Sequence, residues 1–313
     1  MKPVLVVGDL NADLILTGLS GHPRYGREVM VSGCSMTLGG SAAIFACGLA
    51  KLGRRVKFLG KIGRDSTGDF VLGKMRDRGI DVSGVKRDPE RGTGIAVAFT
   101  ETDDRAIVAY LGTVATTTPK DVPTGDLRRF SHLHLTSPFI QMGLRSAFVP
   151  LLKKAKRAGL TTSLDPGWDP RERWDLAEIY PWLDVLLVNE VEAKALTGLR
   201  RPAEAAKKLG EKVLVAVVKT GPKGAFAATR TGFWKASPYP ADAIDTTGAG
   251  DTFDSAFIDG WMEGHRIEEV LAYACAAGAI STESAGGYDG QPTRSEALHL
   301  VGGHRVRLKR DRS

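Results

Sequence analysis

Short apolar runs recur along the chain, separated by segments whose apolar residues return at helical spacing. Val4-Leu5-Val6-Val7 closes on Gly8, and Val56–Leu59 with Ile62, Leu133–Leu135, Thr161–Leu164, Val185–Val188 and Val213–Val218 repeat the pattern. Runs this short, rich in valine and leucine, read as strands buried on both faces. Gly40–Gly53 (with Ala43, Ala46, Cys47 and Ala50), Ser146–Ala158 and Glu190–Leu196 carry helical signals between them, and two last helices are predicted over Ala249–Gly264 and Ile267–Glu283. Strand and helix in alternation make an α/β chain: a mainly parallel central sheet with helices on both faces, whose ligands collect beyond the carboxyl ends of the strands. Two stretches break the alternation, residues 14–37 and 92–111, the second holding the hairpin-like pair Gly92–Thr100 and Ala106–Leu111. They are expected to form a small β lid. No repeat or long linker divides the chain, so one domain is expected over residues 1–301, followed by a flexible basic tail, 302–313.

Charge and composition narrow the class of partner. The 313 residues carry a net charge of +7, but Arg305, Arg307, Lys309, Arg310 and Arg312 stand against Asp311 alone, so most of the excess lies in the tail. That favours a solvated tail over a nucleic-acid surface, and a mildly positive body suits anionic substrates. No run approaches the ~18 apolar residues of a membrane span and no secretory leader is visible, so a cytoplasmic protein without a membrane partner is expected. Cys34, Cys47 and Cys275 share no metal or redox spacing and read as reduced, packed thiols. His132 and His134 alternate on one strand face, which permits shared metal ligation, but without a third ligand a packed strand is favoured. Trp168 and Trp174 flank Asp169–Arg173 and either wall a pocket or belong to a loop packed on the sheet.

The chemistry concentrates in Asp245-Thr246-Thr247-Gly248-Ala249-Gly250-Asp251-Thr252-Phe253, directly before an apolar helical run. Two glycines let the backbone turn tightly, and the helix that follows aims its first amides outward. Gly248, Ala249, Gly250 and Asp251 would then form an anion hole able to stabilise charge on a phosphoryl group in transfer. A carboxylate at Asp251 would sit beside that group and could take the proton of an attacking hydroxyl. Taken alone, the same residues also fit a glycine-rich helix cap whose aspartate serves the helix dipole.

Asp-Thr-Thr-Gly-Ala-Gly-Asp followed closely by an aromatic residue resembles the C-terminal signature of the ribokinase-like (PfkB) carbohydrate kinases, and the likeness extends along nearly the whole chain. Gly8-Asp9-Leu10-Asn11-Ala12-Asp13 is similar to the family's first strand and sugar-binding turn, which implies that Asn11 and Asp13 grip sugar hydroxyls. Gly39-Gly40, with Ala46, Leu52 and Gly53, resembles its N-terminal signature, and Gly60–Gly68 the continuation. Asn189-Glu190-Val191-Glu192 resembles the Asn-x-x-Glu motif, implying Asn189 near the nucleotide phosphates and Glu192 organising magnesium through water. Lys219-Thr220-Gly221 with Gly224 matches the nucleotide loop, although a surface hairpin turn would look much the same. Asp245 and Thr247, with backbone near Gly286-Gly287, resemble a monovalent-cation loop, and potassium is the ion implied. The resemblance implies a ribokinase-like three-layer sandwich with a β lid, ATP and Mg2+ as requirements, a small sugar as acceptor, and a monomer or a homodimer formed through the lid.

The chain departs from the family pattern where Ile44 replaces an asparagine, Ser41 a lysine, Gly167 the asparagine of Asp-Pro-Asn after Asp165-Pro166, and Cys275 an asparagine near the adenine. Loss of the polar contact at Ile44 favours a less polar or differently placed acceptor group. Ribose, fructose, 2-keto-3-deoxygluconate and nucleosides stay open as acceptors. An inactive sugar- or nucleoside-sensing protein on the same fold is the competing reading, weakened by the intact stretch around Asp251. A dinucleotide-dependent oxidoreductase is disfavoured, since neither Gly-x-Gly-x-x-Gly after the first strand nor a P-loop occurs.

Overall fold

Valines and leucines at alternate positions of each strand split between two faces, and that split builds the molecule in layers. The structure is a computed structural model that describes residues 2–21, 23–100 and 105–310. In chain order its elements are β1 (Val4–Val7), β2 (Asn11–Thr17), β3 (Gly33–Gly39), α1 (Ser41–Lys51), β4 (Val56–Leu59), β5 (Lys61–Gly63), α2 (Ser66–Asp77), β6 (Lys86–Asp88), β7 (Gly94–Thr100), β8 (Arg105–Tyr110) and α3 (Thr113–Thr116). There follow β9 (His132–Thr136), α4 (Phe148–Arg157), β10 (Thr161–Asp165), β11 (Val185–Asn189), α5 (Glu190–Thr197), α6 (Pro202–Gly210), β12 (Val215–Lys219), β13 (Ala225–Ala228), β14 (Phe233–Ala236), α7 (Ala249–Met262), α8 (Ile267–Ser281) and α9 (Arg294–Arg310).

The large sheet has the order β14-β13-β12-β11-β10-β9-β1-β4. From β4 to β12 its strands run parallel, as the buried apolar runs require. The edge is closed by the antiparallel hairpin β13–β14, which is not among the strands expected from the sequence. Val4, Val6, Val185, Leu187, Val215 and Val217 pack with α1, α2, α7 and α8, while Leu5, Val7, Leu186, Val188 and Val218 pack with α4 and α6. Each large side chain fully buried in these layers contributes roughly 1.5–3 kcal/mol.

The second sheet, β3-β2-β7-β8, is the lid. It begins earlier than expected, at Asn11, because the alternation of Asn11, Asp13 and Ile15 with Ala12, Leu14 and Leu16 is itself a strand. Its hairpin connection, 101–104, lies outside the described residues. The stretch expected as a flexible tail continues α9 as helical backbone through Arg310, and the rest of it, 311–313, is likewise outside them. Among the described residues no helix is long and apolar enough to cross a membrane. Cys47 and Cys275 are buried, but Cys34 is exposed on lid strand β3 and is not the packed thiol anticipated.

The position of α7, on which the chemistry depends, is fixed far from its functional end. Arg54 Nε donates to Asp259 Oδ1 at 2.6 Å, and its Nη2 donates to the Asp259 carbonyl and to Glu263 Oε1 at 2.9 and 2.6 Å. Arg294 donates to the same Asp259 oxygen at 2.6 Å. Arg54→Met strips one cation from this buried cluster, and chemical denaturation should report a loss of about 2–3 kcal/mol, since Arg294 still faces Asp259.

Candidate active site

In the large sheet the strand order reverses at β1, which has β4 on one side and β9 on the other, and a crevice opens at such a point beyond the carboxyl ends. Asp9 follows β1 there. Its Oδ2 accepts from the Ser41 amide at 2.8 Å, and its Oδ1 accepts from the Thr136 hydroxyl at 2.6 Å, so one carboxylate ties the start of α1 to the end of β9. The lid roofs this crevice. Asn11 and Asp13, two residues apart on β2, share the roof's inner face, where Asn11 Nδ2 donates to Asp13 Oδ1 at 2.8 Å. Gly39 pairs with Asn11 across the sheet, and a Cβ on it would come within 2.0 Å of the Asp13 carboxylate, so only glycine leaves both polar groups in place. Gly40, at φ 92°, caps α1 beside them. A cavity of about 280 Å³ results, lined by Asn11, Asp13, Ser41, Ile44, Trp168 and Asp251 among others.

The floor is the start of α7. Gly248 takes a left-handed φ of 70°, and a Cβ there would meet Gly287 Cα at 2.5 Å. Asp245 holds the two loops together, accepting from the Thr247 amide and hydroxyl at 2.9 and 2.8 Å and from the Gly286 amide at 2.8 Å. Ala249, Gly250 and Asp251 form the helix's first turn; the Ala249 amide donates to the Thr246 carbonyl at 3.3 Å, and those of Gly250 and Asp251 have no helical acceptor four residues back. Asp251 therefore lines the cavity from the first turn of α7. Burial first, then the charges of Asp165 and Asp9, push its carboxyl well above the ordinary range, against the pull of Lys219 and a hydrogen bond from Ser41.

Beneath this floor lies a cluster that sequence reasoning did not assemble. Lys219 Nζ donates to Asp165 Oδ2 and Asp254 Oδ2, both at 2.8 Å. Its ammonium is thus directed under Gly250, where a Cβ would approach it to 3.5 Å, while the Thr220–Gly224 turn is closed by its own bonds: Thr220 Oγ1 donates to the Gly224 carbonyl at 2.7 Å. Lys219 therefore parts company with Thr220, Gly221 and Gly224, the other residues of the expected nucleotide loop. Carboxylate oxygens of Asp165, Asp251 and Asp254 lie within 4.8 Å of one another. Asp165 is held below the ordinary range: burial opposes its charge, but Lys219 outweighs it. Asp254, almost fully buried and with Oδ1 unpartnered, is pushed well above it by burial and by Asp165, despite Lys219. Asp254 follows Asp251 by three residues on one helix, so the spacing could have shown that they share a face.

Asn189 and Glu192 form a reciprocal cap at the start of α5. Glu192 Oε2 accepts from the Asn189 amide at 2.9 Å, and Asn189 Oδ1 accepts from the Glu192 amide at 2.9 Å. Burial and the charge of Asp165 push Glu192 up to about 8. Asp165, Glu192, Asp251 and Asp254 thus crowd about a single lysine, and three of the four are driven toward their neutral forms. Hard oxygen donors in excess of cation charge are a donor set that suits magnesium.

His132 and His134 are packed, as expected. His132 Nε2 and His134 Nδ1 both pair with Ser163 Oγ at 2.7 Å, and burial lowers both histidines, His132 to about 3. Of the two tryptophans, Trp174 is buried in the loop and Trp168 reaches the cavity mouth.

The likeness to known proteins extends along nearly the whole chain. The model of the pfkB family carbohydrate kinases matches residues 1–294. An ATP-dependent ribose-1-phosphate kinase of Halopiger xanaduensis is 33% identical over 90% of this chain and 92% of its own. A 2-dehydro-3-deoxygluconokinase of Bacillus subtilis is 29% identical over the same shares. Among solved structures, Arabidopsis thaliana ribokinase complexed with ribose and ATP superposes with a TM-score of 0.83 at 28% identity, covering 96% of this chain and 98% of that one.

Proposed function

Because the chain belongs to the PfkB family of carbohydrate kinases, we propose that it moves the terminal phosphoryl group of ATP onto a hydroxyl of a sugar-like acceptor held under the lid, with Asp251 as base. The observation that carries this reading is the placement of Asp251 in the first turn of α7, at the helix N-terminus that lines the cavity under the lid.

The Asp13 carboxylate accepts from the acceptor's hydroxyls and the Asn11 amide donates to or accepts from them, and Gly39 and Gly40 keep the space beside them clear. The reacting hydroxyl gives its proton to Asp251 as its oxygen bonds to the γ-phosphorus, and the bond to the β-phosphate oxygen breaks to release ADP. Amides of Gly248, Ala249, Gly250 and Asp251 take up the charge on the phosphoryl oxygens. The lid excludes water that would otherwise compete as acceptor. Nucleotide lies over the Thr220–Gly224 turn, with Asn189 toward its phosphates. Glu192, backed by Asp165, is the residue through which magnesium would be held by way of water; the ion supplies neutralisation of the phosphate charge. Potassium would belong to the loop pair that Asp245 and Thr247 clamp, and a potassium-dependent kcat would support that assignment. The exposed apolar residues Met36 and Val108 on the lid's outer face support a homodimer through the lid, which sedimentation can test.

The direct test is ADP release from ATP and magnesium across a panel of sugars and nucleosides. Acceptor-dependent release is the expected outcome. Tight acceptor binding without release would shift the reading to a sensing protein on this fold.

A further inference from the structure

Two loops, one after β9 and one after β10, wall two cavities at once. Ser137 and Ile140 of the first loop, with Gly167 and Trp168 of the second, line the acceptor cavity. Pro138, Phe139 and Met142, with Arg171 and Arg173, line a second cavity of about 370 Å³, to which Arg145 also contributes. The two linings share no residue.

The second cavity suits an anion. Arg145 Nη2 donates to the Asp175 carbonyl at 2.6 Å and its guanidinium lies over the Phe139 ring at 4.8 Å, but its Nη1 is buried with no hydrogen-bond partner among the described residues. Burial works against that charge, and Asp175, Asp169 and Glu178 offset it only in part. Arg171 and Arg173 are exposed and make no ion pair among the described residues. The two carboxylates of the lining are already engaged by backbone. Asp169 accepts from the amides of Arg171, Arg173 and Trp174 at 2.9, 3.0 and 2.8 Å, and Asp175 from that of Ala177 at 3.0 Å. Three guanidiniums with donors to spare, beside the apolar Pro138, Phe139 and Met142, match the three terminal oxygens of a phosphate monoester with an apolar body.

Occupancy there would be felt at the acceptor. Phe139 packs edge-on against Trp174 at 5.7 Å and 71°, and Trp174 against Trp168 at 5.6 Å and 86°, so three aromatic rings run from one cavity to the other. Ser137, Glu172 and Trp174, with left-handed φ values of 50°, 52° and 49°, are the non-glycine residues in that region among those described, and all three lie in these two loops. Such strain persists only where the surroundings hold it, and it gathers at ligand clamps and switches.

We propose that the second cavity is an effector site for a phosphate monoester, which bridges Arg145 to Arg171 and Arg173 and, by fixing the two shared loops, holds Ser137, Ile140 and Trp168 in place for the acceptor. Effector and acceptor then each tighten the other's binding by the same factor. No covalent step occurs at this site. The binding rests on the cavity alone, and only its effect on turnover rests on the kinase reading.

Phenyl phosphate is the probe, with sulfate as the anion that lacks a body. Calorimetry on the full chain, with magnesium and a non-hydrolysable ATP analogue filling the nucleotide site, should show one phenyl phosphate bound per chain and held more tightly than sulfate. The double variant Arg171→Ala/Arg173→Ala changes two exposed side chains. It should weaken that binding by roughly 10-fold or more, the worth of a hydrogen bond to a charged group, and leave turnover without the probe unchanged. With the best acceptor of the panel, phenyl phosphate should lower the acceptor's KM by roughly 5-fold or more in the wild type and not in the variant. Competition between probe and acceptor, sulfate bound as tightly, or an affinity that the double variant leaves unchanged overturns the proposal while the kinase reading stands. Arginine-dependent binding that leaves KM unmoved overturns the coupling. Arginine-dependent binding without ADP release from any acceptor keeps the site and overturns the kinase reading, and the coupling is then read from the acceptor's affinity. No binding of phenyl phosphate overturns the proposal outright.

Discussion

Asp251→Asn should lower kcat by roughly 10²–10⁴-fold while the affinity for ATP changes little, because the variant keeps the first-turn amides and loses only the group proposed to receive the proton. The pH profile makes the expectation sharper. Burial, with the charges of Asp165 and Asp9, raises the Asp251 carboxyl, so the unprotonated form needed for catalysis is lost as pH falls through that raised value. Wild-type kcat/KM should therefore have an acid limb well above the ordinary carboxylate range, and the residual activity of the variant should lack it. Stability moves the other way. A carboxyl whose folded pKa exceeds its unfolded value binds more protons when folded, so its contribution falls as pH rises between the two. Removing it should leave the thermal midpoint at pH 8 unchanged or raised. Loss of activity with an intact fold supports the base; unchanged turnover would sink it.

How far the sequence discloses such a site depends on how far apart its parts lie along the chain. The glycine turn before α7 and Asp251 in its first turn are consecutive, so glycine placement and helix onset reveal them together. Asn11 and Asp13 announce themselves by residue type, though the strand they occupy belongs to the lid. Lys219 is different: at the end of an apolar strand and before Thr-Gly it reads as part of a loop, and only the side-by-side placement of β10, β11 and β12 brings it to Asp165, 54 positions away. Asp254 is equally hidden, since a carboxylate inside an apolar helix has no meaning until its buried partner is known. The hairpin β13–β14 escapes notice because Ala225–Ala228 lacks the bulky branched residues that mark the other strands. The clamp on α7 joins Arg54 to Asp259 across most of the chain, so no local pattern could show it.

The buried lysine yields the second large effect. Lys219→Met leaves Asp165 without its cation and Asp254 without its donor in a region closed to water, and breaking a buried ion pair from one side costs about 3–5 kcal/mol. Chemical denaturation should show that loss. Because Lys219 also restrains the Asp251 carboxyl from rising further, the variant's acid limb should move to higher pH, and activity lost at pH 7 should return in part at pH 9. Asp165→Asn placed on the same background removes the orphaned charge, so the double variant should be more stable than Lys219→Met alone. A nucleotide ligand at this position predicts something else: a raised KM for ATP, an unmoved pH profile and little change in stability. The two roles differ in every readout, and a KM effect alone would return Lys219 to the nucleotide loop.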